Sequence, residues 1–321
     1  MIPALLIAAG TFLITVPWGE GLIAWLAAQG IGKQIRADGP ETHEVKRGTP
    51  TMGGVLILAP LLLIGGLLAV RTARLWAPLG VTLAFAGLGA FDDLRGLRDV
   101  RGVGWLARSK LPWQFALGLL GALALYVAGA PRTVNVPLVH LALNLGWLYV
   151  PIATVVIVGM ANAVNFTDGL DGQAAGTVAI AFAAYGVIAL NSTVPDMPLA
   201  LLSAAFVGGL LAFLWYNVHP ARVFMGDTGA LALGAGLAAV ALMTSQWLLL
   251  PLIGGIFLAE VLSVILQVGY FKLTHGRRIL RMAPLHHHFE LGGWPETQVA
   301  LRFWIMAAVL AMLGLAMAAA R

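Results

Sequence analysis

Cysteine is absent from this chain and charge is scarce. The first absence excludes disulfides, thiolate catalysis and cysteine-ligated metals, and it says nothing of the redox compartment. The second excludes an ordinary soluble domain: 10% of the 321 residues are charged and 60% are hydrophobic, whereas a soluble domain carries about 25% charged residues. No Lys or Arg precedes Lys33, so the N-terminus lacks the basic region of a secretory signal and reads as an uncleaved first span. Internal repeats and low-complexity tracts are also missing.

Long apolar runs stand in their place. A membrane-crossing helix needs about 20 such residues, and ten segments qualify: roughly 2–30, 53–70, 75–91, 112–129, 147–164, 174–190, 199–216, 228–244, 247–271 and 298–319. The expectation is an all-α polytopic membrane protein of about ten transmembrane helices. Residues 1–321 form a single integral membrane domain, with too little sequence left for a separate soluble one. Connecting segments then alternate sides. One set (31–52, 92–111, 165–173, 217–227, 272–297) together with Arg302 carries 15 of the 19 Lys and Arg residues. The other carries only Arg71, Arg74, Arg132 and Arg321. The positive-inside rule makes the first set cytoplasmic and puts both termini outside. The net charge of +5 is therefore topogenic, and no soluble basic domain exists to hold nucleic acid. Within 131–146, apolar residues alternate at Val134, Val136 and Leu138 and again at Leu141, Leu143 and Leu145, the period of a short outward β-hairpin.

Every concentrated polar motif falls in the cytoplasmic set. A carboxylate at the bilayer centre costs about 2.5–3.5 kcal/mol, so acidic groups in or at the ends of spans call for a functional reason. Lys46-Arg47-Gly48-Thr49-Pro50-Thr51-Met52-Gly53-Gly54 offers an ammonium, close backbone approach and a helix N-terminus that favours anions. A Thr-capped helix start with Pro in its first turn is the competing explanation. Phe91-Asp92-Asp93 closes the third span, and its carboxylates lie about 100° apart around a helix. One is then suited to a metal and the other to a proton; a solvated helix end tied to its arginines is the alternative. In Asn162 to Gly172, Asn162, Asn165, Asp168 and Asp171 recur every third residue and sweep one half of a helix, which Gly169 and Gly172 end or bend.

Phe224-Met225-Gly226-Asp227-Thr228-Gly229 sets Asp227 between glycines, where backbone can approach a phosphate and Phe224 can stack on a flat base. The plainer reading of Asp227 is an N-cap. Pro284-Leu285-His286-His287-His288-Phe289-Glu290 follows Arg277, Arg278 and Arg281. Three consecutive helical histidines point in different directions, which suits phosphate oxygens better than one zinc ion. Glu20 and Glu260, inside spans, either line a lipid groove or pair with another helix. Gly254-Gly255 can bend the ninth span, and glycine-bearing faces permit a homodimer.

Carboxylates, glycine-rich turns, lysines and histidines at one membrane face, with no Walker sequence, point to Mg²⁺-assisted phosphoryl transfer. In order and spacing these five motifs resemble those of the phospho-N-acetylmuramoyl-pentapeptide transferase family, over the whole chain. The resemblance implies an enzyme of the bacterial inner membrane with its site facing the cytoplasm. Such an enzyme transfers phospho-MurNAc-pentapeptide from UDP-MurNAc-pentapeptide to undecaprenyl phosphate, giving lipid I and UMP in the first membrane step of peptidoglycan synthesis. Carried over by position, it makes Asp227 the Mg²⁺ ligand, with Asp92 and Asp93 the pair serving the lipid phosphate. It places Lys46, Thr51, Asn165, Asp168, Asp171, Asn217 and Phe224 around the uridine. Lys110, Gln267, His286, His287 and His288 fall on the diphosphate and sugar side.

Two departures stand out: Leu94-Arg95-Gly96 occupies the place of a usual Tyr and a following Lys, leaving Arg95 or Arg98 to supply the charge, and Ala230 replaces a usual Ser. One rival is a relative in the polyprenyl-phosphate N-acetylhexosamine-1-phosphate transferase superfamily that uses UDP-GlcNAc; the unbroken His286 to His288 run argues against it. The other is an ion-coupled transporter, whose charges belong near the midplane.

Overall fold

In a computed structural model, residues 1–32, 46, 48–98, 105–137, 139 and 141–320 are described. The basic residues Lys33, Arg36, Arg47, Arg101 and Arg321, the Arg98 side chain and Leu138 of the expected hairpin lie outside the described residues.

The described residues are mostly helical, in the order α1 (Ile2–Ala28), α2 (Val55–Arg71), α3 (Trp76–Arg98), α4 (Ala107–Val127), β1 (Thr133–Val136), β2 (Leu141–Asn144), α5 (Tyr149–Thr167), α6 (Gln173–Leu190), α7 (Met197–Asn217), α8 (Gly226–Leu242), α9 (Leu250–Ile253), α10 (Gly255–Leu273), α11 (Leu285–Glu290) and α12 (Glu296–Ala319). Eight of these are long and apolar enough to cross a membrane, while α2 and α8 are apolar but have 17 residues each. The reading of ten spans counts those two.

The bundle is built around α8. Every residue from Thr228 to Leu242 is buried, as a helix apolar on all sides requires. Its small residues let neighbouring backbones close in. A Cβ at Gly89 of α3 would run into the Asp227 carbonyl, and one at Gly234 into the backbone of Met160 on α5. Thus α3 and α5 flank α8 closely, α4 and α10 pack on α5, and α7 gathers α1, α2 and α6, with α12 on α6. The perimeter is apolar and open: Leu5 and Leu13 of α1, Leu120 of α4, Ile265 and Leu266 of α10 and Met312 of α12 are exposed. Such a collar is a liability in water and is solvated by lipid tails in a bilayer.

The run expected as one long ninth span is broken. A 3₁₀ turn at Trp247–Leu249 and the short α9 stop at Gly254, and α10 begins at Gly255. The glycine pair is therefore where the bend falls. The expected hairpin is present, β1 antiparallel to β2, with Thr133 opposite Asn144 and Val136 opposite Leu141. Asn135 N–H donates to Ser245 O at 2.9 Å and fastens the hairpin to the bundle. Beside it Tyr126 stacks on Trp147, and Arg132 lies over the Tyr126 ring. Since α4 runs from Lys110 to this end, the hairpin and the polar motifs occupy opposite ends of the bundle.

Candidate active site

Helix ends of α3, α4, α5 and α8 meet where two aspartates need a shared cation. The Lys110 ammonium supplies it: Nζ lies 2.6 Å from Asp92 Oδ2 and is also bonded to Asp227. The other oxygen of Asp92 accepts the Trp105 N–H at 2.7 Å, and Asp227 accepts from Asn165 Nδ2 at 2.8 Å. Buried carboxylates this close are tolerable only with such partners. Asp93 faces elsewhere. Its Oδ1 accepts the Asp227 N–H at 3.0 Å, and its Oδ2 accepts the Thr228 N–H at 2.9 Å and the Thr228 hydroxyl at 2.6 Å. It satisfies the open N-terminus of α8, so the expected aspartate pair is divided: Asp92 meets Lys110, and Asp93 holds Asp227.

Backbone bonds zip the first motif to the fourth. Gly53 N–H donates to Phe224 O at 2.8 Å, Gly54 N–H to Met225 O at 3.0 Å and Phe224 N–H to Pro50 O at 2.7 Å. Gly226 has φ +70, and a Cβ there would press on Asp93 Oδ2, Met52 N and Thr51 Oγ1, so glycine is required twice over. Thr51 thus lies beside the Asp227 turn.

A second cluster sits under Phe224. Lys46 Nζ lies 2.7 Å from Asp171 Oδ1, 2.5 Å from Glu296 Oε1 and 5.9 Å from the centroid of the Phe224 ring. Glu296 Oε1 also accepts the Asp171 N–H at 2.6 Å. Asp171 Oδ2 accepts the Ala221 N–H and lies 3.0 Å from His219 Nδ1. Burial opposes ionisation of Asp171, but Lys46, the Ala221 N–H and His219 outweigh it and hold the carboxyl below its ordinary value. Asp171, His219 and Glu296 are near enough to hold a metal ion, yet Lys46 already places a cation between two of them. Asn217 accepts the Gly172 N–H at 3.0 Å and donates to Val223 O at 2.8 Å, bracing this turn against the loop that carries Phe224.

The motif of period three therefore distributes its side chains. Asn162 pairs with Gln114 at 2.7 Å, Asn165 reaches Asp227, Asp168 stands at the C-terminal cap of α5, and Asp171 takes Lys46 from the turn beyond. Helix α5 ends at Thr167 and α6 starts after Gly172, where φ is +75.

The three histidines have three partners. His286 Nδ1 lies 3.0 Å from Glu260, His287 Nδ1 lies 2.7 Å from Glu290, and His288 Nδ1 accepts the Arg281 N–H at 3.1 Å. Gln267, expected on the diphosphate side, is engaged with a loop: Oε1 accepts the Ile279 and Leu280 N–H groups and Nε2 donates to Leu280 O, each at 3.0 Å. Glu260 pairs with Gln173 of α6, whereas Glu20 pairs with Arg222 of a loop at 2.6 Å through both oxygens. Sequence reasoning missed Glu296, His219, Gln114 and Gln173. None carries a local signal, because each partner lies more than forty residues away.

Residues 75–245 match the model of glycosyl transferase family 4, and residues 46–58 match signature 1 of the phospho-N-acetylmuramoyl-pentapeptide transferases. A phospho-N-acetylmuramoyl-pentapeptide transferase of Chloroflexus aurantiacus is 45% identical over 99% of this chain and 90% of its own. That of Moorella thermoacetica is 46% identical over 94% of this chain and 95% of its own, and that of Halalkalibacterium halodurans 44% identical over 95% and 94%. Similarity of that depth, carried by the chain that brings these motifs to one end of its bundle, makes this protein a member of the phospho-N-acetylmuramoyl-pentapeptide transferases within glycosyl transferase family 4.

Proposed function

We propose that this chain transfers phospho-MurNAc-pentapeptide from UDP-MurNAc-pentapeptide to undecaprenyl phosphate, releasing UMP and forming lipid I, at the cytoplasmic face of a bacterial inner membrane. The observation that carries the proposal is the meeting of Asp92, Lys110, Asn165 and Asp227 at one end of the bundle, in a chain that aligns nearly end to end with relatives of that name. The donor set fits a magnesium ion, since carboxylate and amide oxygens are the hard ligands it takes. Three aspartates beside one lysine also leave negative charge for a divalent cation to offset. Asp227 would hold the ion with Asp92 beside it, and the ion would neutralise the diphosphate oxygens.

The chain's own groups do the positioning. A phosphate monoester has a second pKa near about 6 and is largely dianionic at neutral pH, so its oxygen attacks the sugar-bearing phosphorus directly. A new P–O bond forms, the bond to the uridine-bearing phosphate breaks, and UMP leaves with the electron pair. Lys110 offsets charge on the transferring group, Asn165 and Asp93 hold Asp227 from two sides, and Lys46 and Phe224 bracket the nucleoside. The lipid reaches the site along the exposed apolar face of α10.

The test is UMP release by the purified chain in detergent with Mg²⁺ and undecaprenyl phosphate, comparing UDP-MurNAc-pentapeptide with UDP-GlcNAc. Release with the first donor alone supports the proposal, and release with the second alone moves the chain to the GlcNAc-1-phosphate relatives. Asp227→Asn abolishes Mg²⁺-dependent release without unfolding the chain; full activity in that variant sinks the metal assignment.

A further inference from the structure

Lys110 is the cation that Asp92 and Asp227 share, yet the helix that carries it packs chiefly on α5 and barely on α8. Its reach to Asp227 is therefore set by how α4 sits on α5. The turn around Lys110 is not stiffened by its own ladder, because Pro112 has no N–H and leaves the Arg108 carbonyl without its helical donor. One turn deeper, Gln114 and Asn162 bond each other twice. Asn162 Nδ2 donates to Gln114 Oε1 at 2.7 Å, and Gln114 Nε2 donates to Asn162 Oδ1 at 3.3 Å. Gln114 is fully buried, inside a span. Spacing sets this pair directly beneath the site: Gln114 follows Lys110 by four positions and Asn162 precedes Asn165 by three, so each shares a helix face with a residue that reaches Asp227. Below the pair the seam is apolar, with Gly118 against Val158 and Gly121 against Val81 and Ile157. An amide left single in hydrocarbon is costly. The pair thus admits one register of α4 on α5 and penalises the others, as a single buried Asn does in a coiled coil. A slide of one turn, about 5.4 Å, would take Lys110 out of hydrogen-bond reach of both aspartates.

We propose that Gln114 and Asn162 are positioning residues: their reciprocal amide bonds lock the register of α4 on α5 and thereby set Lys110 between Asp92 and Asp227. The inference deepens the proposed transferase reading and rests on it for the role of Lys110. The pair touches no reacting group. It acts through the Lys110 ammonium, and a misplacement of about 1 Å in such a group is enough to cost about a hundredfold in rate. Stability and register separate here. Leucines in place of both amides suit a lipid-buried seam and leave no polar group unpaired, so the fold keeps its strength while the register loses its mark.

The experiment compares the wild type, the double variant Gln114→Leu with Asn162→Leu, and the exchanged pair Gln114→Asn with Asn162→Gln, each as the full chain in detergent. UMP release and the thermal midpoint are measured, together with reductive methylation of lysines read by mass spectrometry. Lys110 is one of four lysines in the chain, and its buried, ion-paired amine is expected to methylate slowly in the wild type. The double leucine variant is expected to keep the wild-type midpoint, lose about a hundredfold in kcat and methylate Lys110 several-fold faster. The exchanged pair keeps both amides and their summed length, and it is expected to recover most of kcat and the slow methylation. Wild-type kcat or wild-type methylation in the double leucine variant overturns the inference, as does an exchanged pair that performs no better than the leucines. A collapsed midpoint in the double leucine variant overturns it too, since the amides would then hold the fold and not the register. If the wild type itself releases no UMP, the transferase reading fails, and the midpoint and methylation still decide whether the amides hold Lys110.

Discussion

Replacing Asp93 by Asn separates a carboxylate that holds helix α8 from one that takes part in chemistry. Asp93 accepts three hydrogen bonds, from the Asp227 N–H, the Thr228 N–H and the Thr228 hydroxyl. An Asn in the same place has one oxygen. Turned toward Thr228 it keeps two bonds, and its amide then faces the Asp227 N–H, donor against donor. Losing one bond to a charged acceptor costs about 1.5–3 kcal/mol, and removing a negative charge from a helix N-terminus adds about 0.3–1 kcal/mol. The total is about 2–4 kcal/mol, taken from the residue whose side chain anchors the site. The expected result is a thermal midpoint in detergent lowered by several degrees. Turnover falls at least tenfold, and more Mg²⁺ is needed for half-maximal rate because Asp227 is no longer held. A collapse of turnover by a hundredfold or more with an unchanged midpoint and an unchanged Mg²⁺ requirement would refute the holding role and make Asp93 a direct participant.

Gly89→Ala should be worse than its chemistry suggests: the gain of about 1 kcal/mol in helix propensity is overwhelmed because the new methyl meets the Asp227 backbone carbonyl, so both thermal stability and UMP release fall, and a stabilised active variant would contradict the packing. Glu296→Ala leaves Lys46 with one carboxylate and the Asp171 N–H without its acceptor; KM for the nucleotide-sugar should rise about tenfold or more, and an unaltered KM would remove Glu296 from the site. For pH, Asp171 has its carboxyl lowered in the folded chain, so the folded state binds fewer protons than the unfolded one. Its stabilisation is present above the unfolded value of about 3.9 and fades as pH drops through the folded value. Melting curves of the wild type and Asp171→Asn should therefore converge on acidification below about pH 4, and a gap that widens there would reverse the sign.

How much of this was legible in the sequence follows from what a bilayer penalises. Asp92, Asp93, Asp168, Asp171 and Asp227 were conspicuous because each interrupts an apolar run, and lipid makes an interruption expensive. The break of the ninth span was legible only as a bend that the Gly254-Gly255 pair would allow, whereas the hairpin was plain in a period of two that survives in Val134, Val136, Leu141 and Leu143. Partners were not legible. Glu296 opens a helix after a loop, where an acidic residue is ordinary helix-end electrostatics, and nothing near it points to Lys46 or Asp171, which it touches across 250 and 125 positions. The same limit governs the aspartate pair. Helical geometry alone requires Asp92 and Asp93 to face apart, but deciding which meets Lys110 and which holds α8 needs the crossing of α3 over α8, and that crossing is set by glycines at 89 and 236 that look like any other small residues in a span. Function in such a chain is therefore announced by polarity and assembled by packing of small residues, so variants that only change the size of a buried glycine should disturb the site as much as variants that change its charge.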